Sequence, residues 1–326
     1  MPKARSAVRT LASTLGLAIA AAASSSFAQS FPTKPVTLVV PFAAGGAADA
    51  VARVLSQNVH LKQPVIVDNK PGAAGTIAAA MVAKAQADGH TLLFVTAGHA
   101  GTRALYPRLA YDPVSDFTPL MGVSQSPIVI AVKADSPYRT ITDLVAAARE
   151  KPGKLNCAGG GGGATVTNLA FEQLKADLKL DIAAVPYKGS APALTGLLGG
   201  EIDCDSDNVS ALLPMISSGK VRALAVMSKT RATTLADVPT VAETVLPSMD
   251  ASAWFGILAP KGTPPAVVNE LQKQFAAALK EPLVKERLRA ISAEPMEMDG
   301  PAFGKLVASE TTRWGGLIQK LGLKAD

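Results

Sequence analysis

A two-lobed α/β fold, each lobe a mainly parallel sheet flanked by helices, is predicted by three features of the sequence. Short β-branched runs alternate with Ala- and Leu-rich stretches of helical length, the pattern that places parallel strands between crossover helices. Gly- or Ser-containing turns join the strands to the helices that follow them. The chain has 326 residues, 48% of them hydrophobic, which exceeds the roughly 250–300 residues at which a single core stops growing.

The N-terminus is set apart from this pattern. Lys3, Arg5 and Arg9 precede an apolar run from Leu11 to Ala23, and Ser26-Phe27-Ala28 follows with small residues at the cleavage positions, as in a secretory signal peptide. The run is shorter than the ~20 residues of a membrane span. No Cys follows it, so the mature chain is expected to begin near Gln29, free of a lipid anchor. Residues 1–28 carry three cations and no acid, so the formal net charge of +6 becomes +3. Scattered Lys and Arg with few aromatics exclude a nucleic-acid surface, while a small positive excess favours an anionic ligand. Cys157 and Cys204 are the two cysteines. In an oxidising compartment they form either a disulfide or two buried thiols.

In order, strands are expected at Val36–Val40, Val65–Asp68 and Thr91–Thr96, with helices over Ala47–His60 and Thr76–Ala87 and a helical turn containing Arg103. A strand at Pro127–Val132 and a helix at Leu144–Glu150 begin a fresh series. It continues with strand Lys154–Ala158, helix Asn168–Leu178, strand Ala183–Pro186, helix Ala191–Leu198 and strands Glu201–Asp205 and Arg222–Val226. Trp254–Ala259 reads as a return strand, and after Lys261-Gly262-Thr263-Pro264-Pro265 the chain is expected to be largely helical to its end. The expected division is therefore a first lobe over 29–128, a second over 129–252, and a segment 253–326 packing back on the first. Two crossings make a hinge, and ligands of open α/β sheets bind beyond the strands' carboxyl ends.

The Gly-rich segments fall at those ends. Phe42-Ala43-Ala44-Gly45-Gly46 leads into a helix whose free N–H groups stabilise an anion; its glycines equally serve a tight turn, and Asp49 the first helical turn. Gly159 to Gly163 is a run of five glycines. With Ala164 and Asp181 it satisfies a dinucleotide fingerprint that any such run would satisfy. Its backbone N–H groups suit a carboxylate, with Thr165 and Asn168 adding donors. No nucleophile elbow, Walker lysine, H-E-x-x-H or C-x-x-C is present, which argues against an enzyme. Of His60, His90 and His99, only His99 lies in a strand-end loop able to face the cleft. Asp203, Asp205 and Asp207 share one side of a strand without a calcium-loop pattern. Asp207 and Asn208 are expected to face the cleft, and Asp203 and Asp205 to be solvated.

Pro35-Val36-Thr37-Leu38-Val39-Val40-Pro41-Phe42-Ala43-Ala44-Gly45-Gly46 through Asp49, then Asn69-Lys70-Pro71-Gly72-Ala73-Ala74-Gly75, resemble the Bug family, receptors of tripartite tricarboxylate transporters. The resemblance continues through Leu105-Tyr106-Pro107, Tyr111-Asp112-Pro113, Val185 to Leu194, Asp207-Asn208, Asp237 to Val241 and Trp254-Phe255-Gly256. It implies a periplasmic Venus flytrap of the type II kind, with a two-strand hinge, no cofactor and no metal. The implied partners are a small carboxylate, aliphatic or aromatic, and the membrane subunits of a transporter. A sensor kinase reading the closed form is the alternative partner, a neutral amide the alternative ligand, and a monomer the expected state. Carried over by position, Phe42, Ala44, Gly45, Gly46 and Asp49 form one jaw. Gly161, Gly162, Thr165 and Asn168 form the other, and Thr96, His99, Thr102, Arg103 and Asp207 line the remainder. Five glycines and Asn168 stand where the family usually has a mixed loop followed by His, and Arg103 where Pro is common; Arg103 either pairs with a carboxylate or lies in solvent.

Overall fold

The computed structural model describes residues 31–159, 165–187 and 189–323. Two sheets share one strand. In the first, β1 (Val36–Val40) lies between β2 (Val65–Asn69) and β3 (Thr91–Thr96), parallel to both. β4 (Phe117–Lys133) is 17 residues long and belongs to both sheets. Up to Pro127 it pairs antiparallel with β9 (Ser252–Pro260), which links it to β3, and with β10 (Glu294–Asp299). From Ile128 onward it pairs antiparallel with β7 (Cys204–Asn208) and β8 (Val221–Val226). β5 (Asn156–Ala158) then lies between β7 and β6 (Ala183–Ala184), parallel to both. The sheets are therefore mixed: each lobe's own βα units run parallel, and the crossing strands run against them.

Strand alternation decides which layer each residue joins. On β3, Leu92 and Phe94 enter a core with Leu38, covered by α1 (Ala47–Ser56), α9 (Pro265–Lys280) and α10 (Pro282–Ala290). Leu93 and Val95 face the other side, beneath α2 (Thr76–Ala83), the short α3 (Thr102–Leu105) and α11 (Gly300–Leu321). That second core continues into the other lobe, under α4 (Ile141–Glu150), α5 (Val166–Leu178) and the short α8 (Val241–Thr244). α6 (Ser190–Gly199) and α7 (Val209–Ser217) close the remaining face of the second sheet over Val129 and Ala131. Gly256 is required where α11 meets β9: a Cβ there would lie 2.1 Å from Phe303 Cζ, so the ring rests directly on the strand's backbone. Arg313 on α11 donates to the Asp250 carbonyl at 2.6 Å and to Gln173 of α5 at 3.0 Å, tying the C-terminal helix to the second lobe.

Cys157 and Cys204 stand opposite one another on β5 and β7, with Cα atoms 4.6 Å apart, and are joined by a disulfide. The structure thus selects one of the two states the sequence left open. Several elements differ from expectation: β4 begins at Phe117, ten residues before the strand expected at Pro127, and the helix expected to reach Ala87 stops at Ala83. The strand expected at Glu201–Asp205 begins at Cys204 and runs to Asn208. The helix expected to reach His60 stops at Ser56. β10 interrupts the C-terminal stretch, which was expected to be largely helical.

Candidate functional site

A cleft of about 1330 Å³ opens between the lobes. The first lobe contributes Pro41 to Ala48, Pro71 to Gly75 and Thr96 to Gly98; the second contributes Thr165 to Thr167, Gly189 to Pro192 and the start of α7; Ser126, Ala253 and Phe255 supply the hinge.

The first jaw is held from behind by one carboxylate. Asp49 is buried in the first turn of α1. Its Oδ2 accepts the Gly45 N–H at 2.9 Å, both oxygens accept Arg53 Nε at 2.9–3.0 Å, and Oδ1 accepts Asn69 Nδ2 at 3.0 Å. Asn69 Nδ2 also donates to the Phe42 carbonyl at 3.0 Å, and Arg53 donates to Asn69 Oδ1 at 3.2 Å. Burial alone would raise the Asp49 carboxyl, but the hydrogen bonds from Arg53, Gly45 and Asn69 outweigh it and hold it below its ordinary range. The network fixes the loop from Phe42 to Gly46 at both ends. Gly45, at φ 85°, is the residue that lets the loop turn. Beside it Ala73 and Ala74 adopt positive φ of 44° and 51°, conformations that cost L-residues energy and gather at ligand-contacting loops.

Three helices face this cleft with no side-chain hydrogen bond at their N-cap: α1 behind Gly46, α6 behind Gly189 and α7 behind Asn208. Their first N–H groups have no helical acceptor, and their dipoles present partial positive charge. α5 differs, since Thr165 accepts the Asn168 N–H. The strand before it runs very close: a Cβ on Gly159 would lie 2.7 Å from Asn168 Cα, so the first glycine of the run is demanded by helix packing. Thr167 Oγ1 donates to the Gly159 carbonyl at 3.0 Å. Between α6 and α7 sits Asp207, the one charged side chain among the described residues lining the cleft. Burial pushes its carboxyl up to about 6, against hydrogen bonds from Ser190 and the Asn208 N–H that favour the charged form.

The structure brings Phe42, Ala44, Gly45, Gly46, Thr96, Thr165 and Asp207 together on the cleft wall. Asp49 stands behind that wall as its anchor. Gly161 and Gly162 lie outside the described residues. Asn168 stands one residue beyond the lining stretch of α5, its side chain packed toward Gly159.

His99, Thr102 and Arg103 require correction. His99 is buried between Tyr111 and Phe117, with Nε2 2.9 Å from the Pro113 carbonyl. Burial pushes its imidazole down to about 4, so it is neutral near pH 7. Thr102 is also buried and donates to the His99 carbonyl at 2.8 Å. Both border a hole of about 10 Å³ behind Phe42, room for about one water. Arg103 points outward, 62% exposed, and pairs with Asp112 at 2.5 Å. The short helix after β3 turns these three away from the cleft. Asp205 is corrected too: expected in solvent, it is fully buried, because the strand extends three residues further than expected. Asp203 instead accepts the Asn156 N–H at 2.8 Å. Sequence reasoning missed Ser126, Tyr106 and Ser190 as cleft residues. Ser190, following Gly189 at a strand-to-helix junction, carried the same signal as the first jaw.

Comparison with known proteins agrees with this geometry. Residues 51–323 match the model of the tripartite tricarboxylate transporter family receptor. The chain belongs to this receptor family. Its members are periplasmic solute-binding proteins and not enzymes. Another protein similar to this receptor is BugT of Bordetella pertussis, 35% identical over 305 residues, 91% of this chain and 92% of that one. An adipate-bound protein of R. palustris superposes with TM-score 0.82 at 36% identity, covering 90% of this chain and 99% of that one. MatC from Rhodopseudomonas palustris with bound malate gives 0.79 at 35%, covering 88% and 100%. Among the described residues of this receptor, no helix is long and apolar enough to cross a membrane.

Proposed function

We propose that this chain, exported and cleaved near Ala28/Gln29, captures a small carboxylate between its lobes in the periplasm and delivers it to the membrane subunits of a tripartite tricarboxylate transporter. The lobes are 29–128 with 253–326, and 129–252, turning about the β4 and β9 crossings. One observation carries the reading: three helix starts without side-chain caps converge on a cleft whose described lining contains no Lys or Arg. An anion is then held by backbone N–H groups and helix dipoles rather than by an ion pair. The adipate and malate bound by two similar proteins support a carboxylate as the ligand class. The cleft exceeds the ~300–1,000 Å³ of ordinary small-molecule pockets, which leaves room for the lobes to close.

The test is thermal denaturation of the mature protein, refolded to strip bound ligand, against aliphatic, amino and aromatic carboxylates and neutral amides. At a hundredfold excess over Kd a ligand adds about 2.7 kcal/mol, a shift of a few degrees for a protein of this size. A shift with carboxylates supports the reading. Shifts with amides alone, or with nothing, refute it.

A further inference from the structure

The disulfide lies directly behind the second jaw. β5 has three residues and meets β7 in two residue pairs, Cys157 with Cys204 and Ala158 with Asp205, and β6 in two more. β7, by contrast, pairs with β4 over four residues, Asp205 to Asn208. Backbone bonds alone therefore hold β5 weakly, and the bridge ties it covalently to a firmly anchored neighbour. Gly159 follows two residues after Cys157, and Asp207, on the cleft wall, three after Cys204.

A ring of contacts closes through that bridge. The Gly159 carbonyl accepts Thr167 Oγ1 at 3.0 Å, the Thr167 carbonyl accepts Ser206 Oγ at 3.3 Å, and β7 leads from Ser206 back to Cys204. Thr167 and Ser206 are buried, so water does not compete for these bonds. The ring fixes the start of α5, whose Thr165 to Thr167 line the cleft, against the strand that ends in the opposite part of the same wall. Without its covalent member it consists of a two-pair ladder and two hydrogen bonds, each a small net contribution. β5 can then shift along β7 and carry Gly159 and the start of α5 with it, and a displacement of about 1 Å is enough to spoil a binding site.

We propose that the Cys157–Cys204 bridge is a positioning element of the ligand site, holding the start of α5 in place against β7, so that the bridged chain binds ligand more tightly than the unbridged one. The inference rests on the cleft being the ligand site.

The test uses the mature protein and its Cys157→Ala/Cys204→Ala variant, under conditions where circular dichroism shows both folded; if the Ala pair does not fold, Cys157→Ala/Cys204→Val, which restores side-chain volume, replaces it. Hydrogen exchange is measured first, without ligand. The Asn168 and Leu169 N–H groups are held by the Thr165 side chain and carbonyl, and exchange over Thr165–Phe171 is expected to quicken in the variant relative to β1 and β3. A bridge that only staples the fold would quicken all three alike through global unfolding, and that result, or no change, overturns the proposal. Isothermal titration with malate and adipate follows, and the variant is expected to bind about tenfold more weakly, within the usual range of coupling between sites. Equal affinity overturns the proposal and leaves the carboxylate receptor standing. If the bridged protein binds neither acid, the wider carboxylate panel decides the receptor reading, and the exchange pattern alone decides the bridge.

Discussion

Replacing Asp207 by Asn should make the empty protein more stable at neutral pH while weakening its ligand. Burial raises this carboxyl from 3.8 to about 6, a difference of roughly two units, or about 3 kcal/mol between the two protonation states. Below pH 4 the group is protonated in the folded and unfolded chains alike, and its contribution is intact. Between pH 4 and 6 the unfolded chain releases the proton while the folded one keeps it, so stability falls as pH rises. Above pH 6 the loss is complete. The amide cannot ionise and keeps the shape, so Asp207→Asn should melt about 5 °C above the parent at pH 7.5 and level with it near pH 4. Asp205 is buried two residues earlier on the same strand and stays in both proteins; because Asp207 titrates together with a neighbouring group, the difference between their melting curves reports position 207 and that neighbour as a pair. Ligand-free melts from pH 4 to 8, followed by circular dichroism, measure it. A melting difference that does not change with pH would refute the assignment of a buried carboxyl raised by desolvation.

Three further outcomes are expected. Asp49→Ala removes the acceptor shared by Gly45, Arg53 and Asn69, and should cost about 1–3 kcal/mol in urea unfolding together with ligand affinity measured by titration. Replacing both cysteines by Ala opens a bridge spanning 47 residues and should lower stability by about 4 kcal/mol, read by denaturant unfolding with and without reductant. His99, pushed down to about 4 by burial, contributes stability present above pH 6.5 and lost as pH falls toward 4. His99→Phe should flatten that acid limb in pH-dependent melts without changing ligand affinity.

Much of this could be read from the residues, and the failures have local causes. Val36–Val40 and Thr91–Thr96 are uninterrupted β-branched or apolar runs, and they fold as expected. The first half of β4 was not legible, because Pro119, Gly122 and Ser124 break its pattern; these are the places where its pairing with β9 shifts register. β10 carries Glu294 and Pro295 at its start, and its apolar alternation is only the pair Met296 and Met298 packed on the core, too short to stand out from the helices on either side. At the cleft, strand-to-helix Gly turns found the first jaw because they report backbone geometry directly. His99 and Arg103 misled because a strand-end position says where the backbone goes, whereas the short helix that follows decides where each side chain points. Asp205 misled because its burial depends on where β7 stops.

β4 is hydrogen-bonded into both sheets along one continuous backbone. Loss of either sheet would strip partners from the other, and the apolar layer beneath α11 runs across the same boundary. The molecule should therefore melt as one cooperative unit, with a single calorimetric peak whose enthalpy matches that of the whole chain. Motion about the crossings and resistance to unfolding then reside in the same strand: what lets the halves turn relative to one another also prevents either from coming apart alone.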